Sequence, residues 1–176
     1  METTKTSTGK IALSYGIVLG LISVTLAVIL YITNNLLDQN WITSLIGFLI
    51  LIGVIIYALK TFKKANGGFM SLSEALKVGV GVAVIGGLIG ALYNYIFMTF
   101  IEPDFINQIA EVQRTAILER SPNMTDDQLE QSMVMVKRFS QPWISSAIQL
   151  IAGLFFGFII SLIAGLVMKR ENPYQD

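Results

Sequence analysis

Residues 143–168 read WISSAIQLIAGLFFGFIISLIAGLVM, and no charged side chain interrupts them. An α-helix needs about 20 mainly apolar residues to cross the hydrocarbon core of a bilayer. A charge at the centre of such a span would cost about 2.5–3.5 kcal/mol on insertion scales. The stretch is therefore predicted to be a membrane-spanning helix.

Three further segments are also long enough to cross a bilayer and carry no charged residue, namely residues 11–33, 41–59 and 78–101. The first of them is longer than the apolar core of a secretory signal, about 7–15 residues, and no small-residue cleavage site follows it. We therefore expect an uncleaved anchor. The sequence predicts an all-α membrane protein with four transmembrane helices in two hairpins, forming one integral membrane domain over residues 1–176.

The composition narrows the range of functions. The chain is 53% hydrophobic and 14% charged with zero net charge, whereas a soluble domain has about 25% charged residues. Zero net charge gives no electrostatic attraction to nucleic acid. The chain has neither cysteine nor histidine, which excludes disulfides, thiolate nucleophiles, Cys/His zinc sites and the usual neutral-pH general base. We expect no catalytic residues, no metal and no cofactor.

An enzyme would have to rely on carboxylates such as Asp126 and Asp127. Neighbouring positions on a helix point apart, so this pair is typical of a solvated helix start rather than of a paired acid and base. The sequence therefore predicts a protein without enzymatic activity.

The basic residues orient the spans. If the chain crosses four times, eight of the twelve lie on one side: Lys5, Lys10, Lys60, Lys63, Lys64, Lys77, Lys169 and Arg170. The other four lie in residues 102–142, among seven acidic residues. Cytoplasmic loops carry the excess of lysine and arginine. Both termini are therefore predicted to be cytoplasmic, with the 102–142 loop on the outer face.

This outer loop is predicted to form two amphipathic helices. The first, opened by Asp104 and ending near Arg120, has one apolar face: Phe105, Ile109, Val112 and Ala116. The second, opened by the capping-box pair Thr125 and Gln128, has an apolar stripe: Leu129, Met133 and Val136. These faces either pack on each other and on the bundle, or form a docking surface for a partner or for lipid headgroups.

Small residues recur at helical spacing in three spans. The third span carries Gly79, Ala83, Gly87 and Ala91. The fourth carries Gly153, Gly157, Ser161 and Gly165. The first carries Ala12, Gly16 and Gly20. In lipid, close backbone approach drives helix association. The ridges are expected to pack helices three and four together, and the same chemistry would serve a dimer interface.

Polar residues within the spans are few, and two amides, Asn94 and Gln149, lie near the outer ends of spans three and four. A hydrogen bond between them would be worth about 0.6–2 kcal/mol. A substrate site is the alternative use of the pair. The spans contain no Asp, Glu, Lys or Arg of the kind that proton- and ion-coupled transporters place at the midplane.

Four short motifs resemble a known family. They are Tyr15-Gly16 with Gly20, the loop end Asn66-Gly67-Gly68-Phe69-Met70-Ser71-Leu72, the helix start Glu74-Ala75-Leu76-Lys77-Val78-Gly79, and Ile101-Glu102-Pro103-Asp104-Phe105. The chain resembles, over nearly its whole length, the uncharacterised "domain of unknown function 4199" membrane family found in Bacteroidota. The resemblance implies a bacterial inner-membrane protein and brings no catalytic residues.

Two functions remain in competition. One is a non-enzymatic scaffold or assembly partner in the inner membrane, acting through the loop at 102–142 or through the glycine ridges as a homo-oligomer. The other is a small permease or lipid-handling protein with a cleft near Asn94 and Gln149. Beyond the lipid bilayer itself, the sequence identifies no ligand.

Overall fold

The computed structural model describes residues 7–38 and 41–171. Lys5 and the end of the first loop at 39–40 lie outside these residues. Within them the chain forms six α-helices and one π-helical turn. In chain order they are α1 (Thr8–Ile32), α2 (Trp41–Ala65), α3 (Leu72–Ile96) with the π turn (Phe97–Ile101), α4 (Phe105–Arg120), α5 (Asp126–Phe139) and α6 (Pro142–Met168).

Four of the helices are long and apolar enough to cross a membrane: Thr8–Ile32, Trp41–Ala65, Leu72–Ile101 and Pro142–Met168. The all-α fold with four candidate spans is confirmed, and it is consistent with a multi-pass membrane protein. Two helices extend well beyond the predicted apolar segments. The helix α2 continues to Ala65 rather than residue 59, and α3 begins at Leu72 rather than residue 78. Hydropathy detects the lipid-embedded part of a helix, whereas backbone hydrogen bonding continues into its polar end.

The third helix is the centre of the bundle. It packs most extensively against α1 on one side and α6 on the other, and much less against α2. Helices that are adjacent in sequence, α1 and α2, are therefore not the closest pair in space. The short connection between them fixes where α2 begins, but the closest packing follows the small residues of α3.

The best-packed region lies toward the end of the bundle that carries the α2–α3 connection. Six large side chains there have no exposed surface: Ile55, Leu59, Phe62, Met70, Val78 and Val82. The spans expose many apolar side chains on their outer faces, which is the expected pattern when the surrounding medium is lipid rather than water.

The α2–α3 connection turns where the sequence predicts. Gly67 and Gly68 have φ values of 69° and 87°, which glycine adopts at little cost. The predicted capping box at the start of α3 is also confirmed. The Ser71 N–H donates to Glu74 Oε2 at 2.8 Å, and the Glu74 N–H donates to Ser71 Oγ at 3.2 Å.

The same connection is fastened to the end of α6. Met70 and Arg170 exchange two backbone hydrogen bonds, each 2.9 Å long. Lys63 Nζ donates to the carbonyl of Met168 at 2.8 Å, and the Arg170 guanidinium lies 5.4 Å from the ring centre of Phe69. Lys63 thus binds the end of a neighbouring helix, where its charge also complements the helix dipole.

Candidate functional site

A cleft with a volume of about 510 Å³ lies between α4 and α5. Its floor is apolar and includes Ala110 and Leu129, both buried, together with the half-buried Met133. Charged and polar side chains form the rim: Asn107, Glu111, Arg114, Asp126, Glu130 and Lys137. We call this feature the α4–α5 cleft.

Local sequence signals position the two walls. At the start of α5 the Gln128 N–H donates to Thr125 Oγ1 and the Thr125 N–H donates to Gln128 Oε1, so the capping box orients this helix. Asp104 precedes α4 but does not cap it. Its carboxylate accepts from the Asn107 side chain at 2.7 Å, because a helical backbone conformation at Asp104 turns the carboxylate away from the amides of the first turn.

Charges of both signs lie on the rim of the cleft. Across residues 7–38 and 41–171, neither the two acids that line the cleft on α5, Asp126 and Glu130, nor the bases Arg114 and Lys137 have an ion-pair partner. The cleft therefore combines an apolar floor with charges of both signs on its rim.

The start of α4 is tied to α1 and α3. The π turn ends with the Glu102 N–H donating to the Phe97 carbonyl at 2.8 Å. The Glu102 carboxylate accepts from the Tyr31 hydroxyl and from the Gln108 side chain, each at 2.9 Å. Beneath this carboxylate the Phe97 ring packs edge-on against Tyr31 and Phe105. The start of α4, one wall of the cleft, is therefore attached to α1 and α3.

A small cavity with a mainly apolar lining lies near this junction, between α1, α3 and α6. It has a volume of about 100 Å³ and is lined by both predicted amides, Asn94 and Gln149, together with Ser23 and Tyr93. Its size admits a few water molecules.

The amides do not bond to each other. The Asn94 side chain donates to the hydroxyls of Ser145 and Ser146, at 3.0 and 2.9 Å. This corrects the hydrogen bond that the sequence suggested between Asn94 and Gln149. The cause is register: Ser145 and Ser146 lie one helical turn nearer the start of α6, level with Asn94, whereas the Gln149 amide lies beside Gly90.

The small-residue ridges are largely used inside the bundle. A methyl group at Gly79 would overlap Ser161, one at Gly157 would overlap Ala83, and one at Gly87 would come within 2.8 Å of a Leu150 methyl. Gly16 and Gly20 receive Ile85 and Ile89 of α3 in the same way. A dimer built on these surfaces would have to displace α1 or α6 from α3.

Two predicted ridge residues differ from this pattern. Gly153 has no atom within 4 Å of the position that a Cβ would occupy, so it takes no part in the α3–α6 contact. Ala91, at the far end of the α3 ridge, is only half-buried.

Only one of the two carboxylates considered for catalysis lies at the cleft. Asp126 lines the α4–α5 cleft, whereas Asp127 does not. Among the described residues, no group of three or more acidic side chains is placed to hold a metal ion.

Comparison with known proteins yields one match. The family described as "Protein of unknown function (DUF4199)" matches residues 14–170, nearly the whole chain. No curated protein and no solved structure matches this chain. The matched region includes all four candidate spans from the second turn of α1 onward, the helices α4 and α5, and the α2–α3 connection. The chain belongs to the DUF4199 family of proteins of unknown function.

Proposed function

We propose that this protein is a non-enzymatic scaffold or assembly partner of the bacterial inner membrane, and that it binds a partner protein through the α4–α5 cleft. The observation that carries the proposal is the cleft itself. Its volume is about 510 Å³, its floor is apolar, and its rim carries unpaired charges of both signs. An amphipathic helix of the partner, with acidic and basic residues beside its apolar stripe, fits this surface.

In this proposal both termini are cytoplasmic and the cleft faces the outside. The support is the excess of basic residues in the termini and the α2–α3 connection over those in residues 102–142. The chain has no native cysteine, so single-cysteine variants report topology directly. A membrane-impermeant maleimide added to intact cells should label Asp127→Cys and leave Lys64→Cys unlabelled. The reverse labelling would overturn the orientation.

Crosslinking tests the partner. A photoactivatable crosslinker attached to Asn107→Cys lies on the rim of the cleft, whereas one on Asp127→Cys lies on α5 outside the residues that line it. In native membranes the first variant should capture one protein that the second does not. Adding Glu111→Lys should abolish that product, because it reverses a charge on the rim.

Two outcomes would contradict the proposed site. One is equal capture by the Asn107 and Asp127 variants, which would indicate collisions rather than docking. The other is a rim crosslink that Glu111→Lys leaves unchanged. Purification as a monomer with no crosslinked product at either position would count against the scaffold function itself.

A small permease or lipid-handling protein is the second candidate, favoured by the small cavity that Asn94 and Gln149 line. Replacing both amides with leucine would fill the cavity with apolar atoms and leave the α4–α5 cleft untouched. Altered solute flux or membrane lipid composition in this double variant, with the rim crosslink retained, would favour transport over scaffolding. Unchanged flux and lipids would exclude it.

A further inference from the structure

A second groove lies on the opposite face of α5, where that helix meets the start of α6. Its volume is about 600 Å³. Four large apolar side chains that line it are each more than half exposed: Val134, Met135, Phe139 and Trp143. Gln131, Arg138 and Ile144 complete the lining. We call this feature the α5–α6 groove.

The groove is continuous with the surface of a candidate span. Trp143 and Ile144 stand at the start of α6, and the exposed residues Ile148 and Ile151 continue the apolar surface along the same helix. A span of this length places its first turn near the boundary between headgroups and acyl chains, where tryptophan is enriched. The apolar face of an amphipathic helix lies about 5–10 Å deep at this boundary. Acyl chains would therefore cover the exposed side chains of the groove.

The charge of the groove indicates which part of a lipid lies where. Arg138 is the charged residue that lines it, and no acidic residue does so. A guanidinium binds phosphate oxygens through two parallel hydrogen bonds, and the Gln131 side-chain amide offers a further donor. Lys137, the residue immediately before Arg138, lines the α4–α5 cleft instead. Adjacent basic residues thus serve two different grooves.

We propose that the α5–α6 groove binds one phospholipid from the surrounding leaflet, with its phosphate on Arg138 and an acyl chain against Met135, Phe139 and Trp143. The site is separate from the α4–α5 cleft and does not depend on the function proposed for that cleft.

The chain provides its own reporter. It has two tryptophans, and Trp41→Phe leaves Trp143, which lines the groove, as the single emitter. The full-length Trp41→Phe protein in dodecyl maltoside micelles is titrated with phosphatidylglycerol that carries a brominated acyl chain. Bromine quenches tryptophan fluorescence on contact. Quenching should saturate at a low mole fraction of the lipid.

The variants identify the phosphate ligand. In the Trp41→Phe background, Arg138→Gln should raise the half-saturating mole fraction roughly tenfold, the change expected when about 1.4 kcal/mol of binding is lost. Arg138→Lys keeps the charge without the planar fork and should give an intermediate shift. Lys137→Gln makes the same change of charge one residue away and should leave the titration unchanged. Helix content by circular dichroism confirms that each variant is folded.

Three outcomes would overturn the proposal. Quenching that rises without saturation means annular lipid only. Equal shifts for Arg138→Gln and Lys137→Gln mean general surface electrostatics rather than a site. The third is an unchanged titration in Arg138→Gln together with a specific protein crosslink from Met135→Cys in native membranes. That result would mean that a protein, not a lipid, occupies the groove.

Discussion

The contact between α3 and α6 gives the sharpest stability prediction. Gly79 lies against Ser161, which has no exposed surface and donates its hydroxyl to the Gly157 carbonyl. A Cβ added at Gly79 would lie 2.7 Å from the Ser161 Cβ and 3.2 Å from a methyl of Ile55. A Cβ is fixed to the backbone and cannot rotate away, so Gly79→Ala should force the two helices apart.

The size of the effect follows from two opposing terms. Alanine is favoured over glycine in a helix by about 0.5–1 kcal/mol. Overpacking in a tight interface costs about 1–3 kcal/mol, because a gap of 0.5–1 Å forfeits a quarter to a half of each dispersion contact along it. We expect Gly79→Ala to lower the free energy of unfolding by up to about 2.5 kcal/mol, and to leave the protein about 1–3 kcal/mol less stable than the same substitution at an uncrowded glycine.

Gly153→Ala is the matched control, because it changes the same residue type on the predicted α6 ridge where a Cβ meets no atom within 4 Å. It should be neutral or slightly stabilising, within about 1 kcal/mol. Unfolding by sodium dodecyl sulfate in mixed micelles, followed by circular dichroism, measures both. Adding Ser161→Gly to Gly79→Ala should recover at least about 1 kcal/mol as a coupling energy. Equal stability of the two alanine variants, or no coupling, would refute the packing argument.

Three further stability changes can be measured by the same titration. Ser71→Ala removes the cap of α3 and should cost about 1 kcal/mol, whereas Ser73→Ala, at an exposed position two residues on, should cost less than about 0.5 kcal/mol. Lys63→Met removes the hydrogen bond to the end of α6 and should cost about 0.5–1.5 kcal/mol more than Lys64→Met, which replaces an exposed neighbour. Phe62→Ala empties a fully buried site in the core and should cost about 3–5 kcal/mol, and a loss below about 1 kcal/mol would contradict the burial described there.

The number, length and approximate bounds of the spans could be predicted from the sequence, because each property depends on local composition. Which spans are neighbours could not. Leu19 of α1 packs against Gly86, whereas Leu150 of α6 packs against the next residue, Gly87. Consecutive glycines on a helix differ by about 100° in direction, so α3 can pack against two helices at once. Hydropathy carries no information about which partner takes which side.

The α6 ridge shows why a regular four-residue spacing does not by itself identify the residues that contact α3. Residues four apart on a helix of 3.6 residues per turn rotate by about 40° at each step. Gly165, Gly157 and the serine between them still contact α3, but one further step turns Gly153 away from it. The contact passes instead to Leu150, seven residues before Gly157, because seven residues nearly complete two turns. A heptad count along the span could have identified this change.

Only one of the two apolar faces of α5 could be predicted from the sequence, again because of residue spacing. Leu129, Met133 and Val136 have the spacing of a single buried face; Leu129 and Met133 line the α4–α5 cleft, whereas Val136 does not. Val134, Met135 and Phe139 do not fit that stripe, and its spacing predicts no role for them. A helix that is apolar on two separate faces requires two apolar surroundings, and one protein neighbour supplies only one of them. The start of a candidate span immediately after α5 favours lipid as the second, which is the physical basis for proposing a phospholipid rather than a second protein in the α5–α6 groove.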